Sequence, residues 1–177
     1  VYNVRYGFFN LGQVRIKTVN HVTTPRYDAY ATWAHIDSYR GVPFVDLHAV
    51  FESTIDTGVY SRFFVGKLKQ NDAWDFARYD FDYGRNRVLI EVGNKDTIIA
   101  KRETVTVQIP YNDGLSLFFY ARAHVFSGKN VTVPTIVKEQ KVTTRINFTN
   151  KRSTVDIDAV DYPVDVVQFE GTADFVG

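Results

Sequence analysis

The stretch AWDFARYDFDYGRNRVLIEV, residues 73–92, decides the fold of this chain. Aromatic side chains on one face of its first half alternate with charged side chains on the other: Tyr79, Phe81 and Tyr83 against Arg78, Asp80 and Asp82. Such alternation is typical of a strand with one buried face. The residues GRN at 84–86 predict a turn into a second strand that starts at Arg87, so the stretch predicts a β-hairpin.

The opening stretch, VYNVRYGFFNLGQVRIKT at residues 1–18, repeats the pattern. Four residues of its first half share one apolar face: Tyr2, Val4, Tyr6 and Phe8. The residues NLG at 10–12 predict a three-residue loop in which Gly12 supplies the left-handed conformation. That loop would pair Phe8 with Val14 and place the apolar faces of both strands together.

Further strand-like segments follow along the chain. They cover residues 27–36, 47–55, 60–68, 105–109, 142–148, 154–159 and 164–169. About ten short strands at this spacing favour a mainly β fold, either a single antiparallel, strongly curved sheet or a half-open β-barrel.

One segment departs from the strand pattern. NDGLSLFFYARAHVF, residues 112–126, has apolar side chains at helical spacing, and Asn112 or Asp113 can cap a helix. The pattern predicts one short helix over about 113–125 that is apolar on most faces and therefore buried. We expect this helix to lie against the concave face of the sheet.

Composition limits the classes of function. The 177 residues suit a single domain, 1–177, and the 21 basic and 20 acidic side chains form no basic cluster of the kind that binds nucleic acid. There is no Cys, which excludes disulfides and thiolate metal sites, and no apolar run is long enough to cross a bilayer. There is also no Met, even at position 1, so we expect that the chain begins after processing or is an excised piece, and that any signal peptide has already been removed.

Four segments carry a family resemblance: VRYGFFNLGQVRIKT at 4–18, VDLHAVFESTIDTGVYSRFFVGKLKQNDAWDFARYDFDY at 45–83, DGLSLFFYAR at 113–122 and VDYPVDVVQFEG at 160–171. The first resembles the Y-x-V-x-Y-G-F hairpin that opens a family of exported Gram-negative bacterial domains of unknown function. The resemblance implies a periplasmic location, a fold similar to the half-barrels of lipoprotein carriers, and no known activity or catalytic residues. Such domains continue past the equivalent of Gly177, so we expect an open sheet edge or missing final strands.

Candidate catalytic and metal-binding groups are weak. His35 and His48 can face each other from adjacent strands near Asp37 or Asp46, but the histidines lack the spacing of a metal motif. FESTID at 51–56 is typical of a turn entrance rather than of a triad. The carboxylates Asp72, Asp75, Asp80 and Asp82 are a distant candidate for glycan hydrolysis and are more typical of a wet sheet face. We predict no catalytic residues, no metal site and no cofactor.

Aromatic residues are the remaining signal, at 15% of the chain. Most must form a core, but a half-barrel covered by a helix can also hold an apolar ligand cavity. The predicted lining residues are Tyr2, Tyr6, Phe8, Trp33, Phe51, Phe63, Phe118 and Phe119. Two hypotheses follow: a non-catalytic module that binds a lipid or acyl chain, and a structural domain that docks a protein partner at an exposed sheet edge.

Overall fold

The computed structural model describes residues 2–6, 9–25, 27–42, 46–70, 72–95, 98–157 and 160–174. Its strands are β1 (Tyr2–Tyr6), β2 (Phe9–Thr23), β3 (Asp28–Ser38), β4 (His48–Asp56), β5 (Ser61–Gln70), β6 (Ala73–Asp82), β7 (Arg87–Asn94), β8 (Ile98–Thr106), β9 (Asn130–Val137), β10 (Gln140–Val155) and β11 (Val164–Asp174). The helix α1 spans Ser116–His124, and a 3-10 turn spans Tyr83–Arg85. The predicted mainly β, antiparallel fold with one short helix is confirmed.

The strands divide between two sheets rather than one. Strands β1 to β8 form an eight-stranded sheet in chain order, so each strand pairs with its neighbour in sequence. Strands β9 to β11 form a separate three-stranded sheet with β10 in the middle. The eight-stranded sheet is open, with β1 and β8 as its two edges.

The hairpin between β6 and β7 forms as the sequence predicts. Phe81 pairs with Val88, and the turn ends at Asn86, whose φ of 52° lies in the left-handed region that Asn tolerates. Tyr79 and Phe81 are buried on the inner face of the sheet. This inner face carries the main core, which consists of Ala34, Phe64, Tyr79, Phe81, Val88, Ile90, Val107, Leu115 and Ile136.

The opening hairpin differs from the prediction. Tyr2 pairs with Val14 and Tyr6 with Phe9, so the predicted loop at 10–12 is wrong and these residues belong to β2. Leu11 is the extra residue of a bulge within β2, opposite the step from Val4 to Arg5. Gly12 is required for a different reason: a Cβ atom there would lie 2.2 Å from the carbonyl oxygen of Asp37 on β3.

The predicted partner of Val14, Phe8, lies outside the described residues. The side chains of Tyr2 and Tyr6 lie outside them as well, although their backbone forms β1.

The helix α1 contacts the cores of both sheets. Leu115, just before its first residue, is buried in the main core, and Ala121 packs against Val133, Ile146 and Phe148 of the three-stranded sheet. Only Ser116 and Ala121 of the helix are fully buried. Its Phe118 is 52% exposed, so the predicted burial on most faces is wrong.

The three-stranded sheet contains β9, which the strand pattern did not predict because Pro134 interrupts it. Beyond Phe148 the central strand β10 extends with every residue of 149–155 exposed. Among the residues that the structure describes, no helix has the length and apolar character needed to cross a membrane.

Candidate ligand-binding cavity

A cavity of about 540 Å³ opens on the inner face of the eight-stranded sheet. Its apolar lining consists of Val14, Ile16, Ala34, Ile36, Phe51, Phe64, Leu68, Phe76, Ala77, Tyr79, Val92, Leu115, Phe118, Ile136 and Val137. All strands from β2 to β7 contribute to it, so this face of the sheet is concave. Residues 114–118 at the start of α1 and the tip of the β9–β10 hairpin cover it.

Four residues of the lining are charged. Lys67 and Asp75 come from the adjoining ends of β5 and β6, and Lys138 and Glu139 form the turn between β9 and β10. Lys138 is exposed and the other three are half-buried, so these residues reach water and mark the mouth of the cavity. The interior is therefore apolar and the mouth carries charges of both signs.

Stacked aromatic rings form the floor. The ring of Phe64 lies between Phe51, at a centroid distance of 6.0 Å, and Tyr79, at 5.0 Å. Gly66 makes room for them, because a Cβ atom there would lie 3.0 Å from Phe64 and 3.1 Å from Phe51. The floor is thus tightly packed beneath an open volume.

The roof is attached to the floor at the hairpin tip. The backbone N–H of Glu139 donates to the phenol oxygen of Tyr79 at 3.3 Å, and that phenol donates to the Glu139 carboxylate at 3.5 Å. Burial raises the pKa of Tyr79, so the phenol remains neutral and keeps its proton to donate. Lys138 and Glu139 both have positive φ, at 48° and 62°, which gives the tight turn that this contact needs.

A buried polar cluster, the Asp113 cluster, attaches the other end of the roof. The Asp113 carboxylate accepts hydrogen bonds from the hydroxyls of Ser53 and Ser61, both at 2.6 Å, and from the N–H groups of Leu115 and Ser116, at 2.7 and 2.9 Å. The two serines belong to the eight-stranded sheet, whereas the two N–H groups begin α1. The predicted capping role of Asp113 is confirmed, and the same side chain joins the helix to the sheet.

Asn112 extends this cluster to the three-stranded sheet. Its side-chain amide donates to the carbonyl of Val59 at 2.7 Å and to the hydroxyl of Ser116 at 2.9 Å. Its backbone pairs with Pro134 and Ile136 of β9 at 2.9 and 2.8 Å. Burial raises the pKa of Asp113, while its hydrogen bonds oppose that rise. With the carboxylate fully buried and its four donors all inside the protein, the cluster has a structural role.

The structure places the predicted lining residues in three groups. Phe51 and Phe118 line the cavity, and Phe119 packs against the main core beside it. Trp33 and Phe63 lie on the outer face, since their neighbours in sequence, Ala34 and Phe64, face inward. Trp33 there contacts the Lys17 ammonium, 5.0 Å from its ring. Tyr2, Tyr6 and Phe8 are the residues whose side chains fall outside the described part.

Sequence reasoning missed most of the lining because it favoured aromatic residues. The larger part is aliphatic and comes from alternate positions of neighbouring strands, such as Val14 and Ile16 beside Ala34 and Ile36. The alternation of aliphatic and polar residues along these strands was the signal in the sequence that could have identified the aliphatic lining. Gly66, which stands on the same face as Phe64 and Leu68, indicated a recess in that face.

The carboxylates of residues 72–82 lie on both faces of β6. Asp75 lines the cavity mouth, whereas Asp80 lies on the other face of β6 and Asp82 contacts Arg85 and Arg87. Asp72 is exposed just before the strand. Glycoside hydrolysis needs two carboxylates that face one bond, and Asp75 and Asp80 point away from each other.

The two histidines lie together, as expected from their strands. The carboxylate of Asp37 lies 3.3 Å from His35 and 2.8 Å from His48, which in turn lies 3.3 Å from Asp46. In the described part of the chain, no group of three or more His, Asp or Glu side chains has a geometry that could hold a metal ion.

Comparison with known proteins places the chain in a family. The family model described as Protein of unknown function (DUF3108) matches residues 1–175. No curated protein and no solved structure matches the chain. Since the match covers nearly the whole sequence, and a family of unknown function was predicted from four of its segments, the chain belongs to the DUF3108 family.

Proposed function

We propose that this chain is a non-catalytic, exported domain of the bacterial envelope that binds or carries a hydrophobic ligand, a lipid or an acyl chain. The observation that carries the proposal is the apolar cavity of about 540 Å³. Ligand sites in proteins occupy roughly 300–1,000 Å³ and are lined mainly by apolar side chains with a few polar groups. The cavity fits this description, with its polar groups gathered at the mouth.

The way the roof is attached supports ligand binding over simple core packing. The Asp113 cluster fixes the start of α1, and the contact between Tyr79 and Glu139 fixes the hairpin tip. Between these two attachments the roof cannot collapse onto the floor and fill the volume. Because the apolar space already exists, the protein needs little reorganisation when a ligand binds, and little binding free energy is lost.

The family resemblance supports the proposed location. The segments at 4–18 and 45–83 resemble exported Gram-negative domains. A chain without Cys does not depend on oxidative folding, so it is compatible with the periplasm. Fractionation of a cell that expresses the full-length protein tests this part, and recovery of the mature chain from the cytoplasm alone would overturn it.

A binding titration with a fluorescent polyene fatty acid tests the proposed ligand class. Unlabelled saturated fatty acids should displace the probe, with affinity rising about tenfold for every two methylenes, because each buried methylene contributes about 0.8 kcal/mol. The rise should stop when the chain fills the cavity. Absence of probe binding by the purified, delipidated protein would overturn the proposal.

Two glycines provide a matched pair of variants for the same titration. A Cβ atom at Gly114, in the cavity lining, would meet nothing within 4 Å, and the same holds at Gly171 on β11. Gly114→Leu should fill the cavity and weaken probe binding at least about tenfold. Gly171→Leu should leave binding unchanged. Equal binding by both variants would place the probe outside the cavity.

A second cavity-filling variant, on the sheet, distinguishes loss of cavity volume from a local disturbance of the helix start by Gly114→Leu. Ala77 lines the cavity from β6, between Gly66 and Val92 in register. Ala77→Phe should also weaken binding of long chains while the circular dichroism spectrum stays that of a β protein. Unchanged binding in a folded Ala77→Phe protein would contradict the assignment of the ligand to this cavity.

The second hypothesis, a protein-interaction domain, is favoured by one observation at the sheet edge. Strand β8 exposes Ile98 and Ile99, at 54% and 42%, beside unpaired backbone of the open sheet. Exposed edge strands can take up an added strand from a partner. Ile99→Lys should abolish such an association, measured by sedimentation with co-purified partner, while leaving fatty-acid binding intact.

A further inference from the structure

We infer that the cavity takes one acyl chain, so that its ligand is a single-chain amphiphile rather than a diacyl lipid. This inference rests on the proposed function and narrows it to a ligand class. Three observations carry it: the volume of the cavity, the rigidity of its walls and the position of its charged residues.

The volume matches one long chain. An apolar protein cavity of about 150 Å³ accommodates the six carbons of benzene, so a cavity of 540 Å³ accommodates about twenty carbon atoms at the same density. That is the size of one acyl chain of a common membrane lipid. Two such chains would need roughly twice the volume by the same ratio.

The walls leave little room for expansion. On the floor, Phe64 is held between Phe51 and Tyr79, and Tyr79 is itself bonded to Glu139 of the roof. Next to the lining residues Gly114 and Leu115, the Asp113 cluster holds the start of the roof to the sheet with buried side chains that hydrogen-bond to one another. Widening the cavity for a second chain would break these contacts, and a close-packed protein interior resists such a change.

The charged residues show where the ligand's polar end must lie. The charged side chains in the lining are Lys67, Asp75, Lys138 and Glu139, and all four lie at the mouth. A polar head group would therefore remain at the mouth in contact with water while the chain enters the apolar interior. A second chain on the same head group would be left in water, which opposes its removal from a membrane.

The mouth carries two basic and two acidic side chains, so its formal charge balances. It offers no net attraction for an anionic or a cationic head group. We therefore expect the chain, and not the charge of the head group, to dominate binding, and affinity should change little with salt concentration.

A competition between lipids tests the inference. The full chain is incubated with vesicles that contain equal amounts of palmitic acid, palmitoyl lysophosphatidylcholine and dipalmitoylphosphatidylcholine. The protein is then separated from the vesicles by gel filtration, and the masses of its complexes are measured by native mass spectrometry. We expect complexes with one single-chain ligand per protein, and dipalmitoylphosphatidylcholine at less than about one-tenth of their abundance. The ratio of palmitic acid to lysophosphatidylcholine shows which source of the single chain is preferred.

Other outcomes separate the inference from the proposed function. Dipalmitoylphosphatidylcholine at equal or greater abundance, or two single-chain ligands per protein, would overturn the one-chain inference and leave lipid binding in place. No lipid of any kind, together with no binding of the fluorescent fatty acid, would overturn the proposed function as well. Gly114→Leu, which fills the cavity, should show no lipid-bound species in the mass spectrum. Gly171→Leu is its control and should bind lipid as the wild type does.

Discussion

The two ends of the inner sheet face differ in how the roof meets them. At the end that holds Ser53 and Ser61, the roof is joined to the sheet by the Asp113 cluster, in which Asp113 is 0% exposed. At the other end the roof meets the sheet through Tyr79 and Glu139, and between Phe51 and Leu68 it leaves the cavity. The first end is closed by a buried polar cluster, whereas the second holds an apolar space with a charged mouth.

The difference shows that a small β domain can keep an apolar space open by fixing its roof elsewhere. Hydrogen bonds are directional, so the Asp113 cluster sets the height of the helix above the sheet. Apolar contacts are not directional and would pull the roof down wherever it can move. We therefore expect changes at the polar end to lower the free energy of unfolding more than changes at the cavity do.

The largest expected effect is that of Asp113→Ala. The substitution removes the acceptor of four buried donors, and each unsatisfied buried donor costs about 1–3 kcal/mol. We expect the free energy of unfolding in urea to fall by about 4 kcal/mol or more. The control is Asp165→Ala on the exposed part of β11, which should change it by less than about 0.5 kcal/mol. Equal losses of unfolding free energy in the two variants would show that the buried cluster contributes no more to stability than an exposed residue does.

The next effect distinguishes a packed ring from one that borders the cavity. Phe148 is 1% exposed in the small core, so Phe148→Ala should cost about 4 kcal/mol of unfolding free energy. Phe51 is half-buried and already faces open volume, so Phe51→Ala should cost only about 2 kcal/mol. Chemical denaturation of both variants measures the difference. A cost for Phe51→Ala equal to that for Phe148→Ala would mean that the cavity is not open in solution.

A third effect concerns pH and compares two buried acids, Asp113 beside the helix and Glu91 on the outer face of the sheet, whose surroundings shift their pKa values in opposite directions. Burial raises the pKa of Asp113, so the stability linked to this group is present at low pH and is lost as pH rises above about 4. Hydrogen bonds from Arg78 and Arg102 lower the pKa of Glu91 on β7. Its contribution is therefore present above about pH 4 and lost as pH falls.

The measurement is urea unfolding of the wild type, Asp113→Asn and Glu91→Gln at a series of pH values. Glu91→Gln should reduce the loss of stability on acidification, and Asp113→Asn should reduce the loss on the alkaline side. A variant whose pH profile runs parallel to that of the wild type would show that its group has the same pKa in the folded and unfolded chain.

The smallest effect belongs to an exposed ring in the roof of the cavity. Phe118 is half-exposed, so Phe118→Ala should change the unfolding free energy by less than about 1 kcal/mol. It should weaken binding of the fluorescent fatty acid by about three- to tenfold, because the ring lines the cavity. Phe126→Ala, which removes a 70% exposed ring elsewhere, serves as the control and should do neither.

Alternation in the sequence predicted the antiparallel sheet and the two faces of β6, because side chains of a strand point to opposite sides whatever the fold. It also predicted the helix and its Asp113 cap, since both depend on residues near in sequence. The opening hairpin failed because its two strands pair in another register: Tyr2, and not Phe8, lies opposite Val14, and residues 10–12 belong to β2. Register depends on where the chain turns, and the alternation of each strand taken alone does not reveal it.

The candidate site was less predictable than the fold. Its position between helix and sheet was expected, but its lining depends on which strands lie side by side, as with Ala34 opposite Ile16. The Asp113 cluster joins residues 52 and 60 positions apart, and the serines in FESTID and before Arg62 carry no local sign of that partner. Aromatic content indicated a core and gave no information about where the core stays unfilled.

The chain order of the eight-stranded sheet has a consequence for synthesis. Every strand from β2 to β8 pairs with its predecessor, so the sheet can assemble hairpin by hairpin as the polypeptide emerges. The roof, from Asp113 to Glu139, is made only after all eight strands, and its contacts with Ser53 and Tyr79 span 60 residues. The apolar inner face of the sheet therefore stays exposed until the last third of the chain has been synthesised. During this interval a chaperone can bind the exposed face.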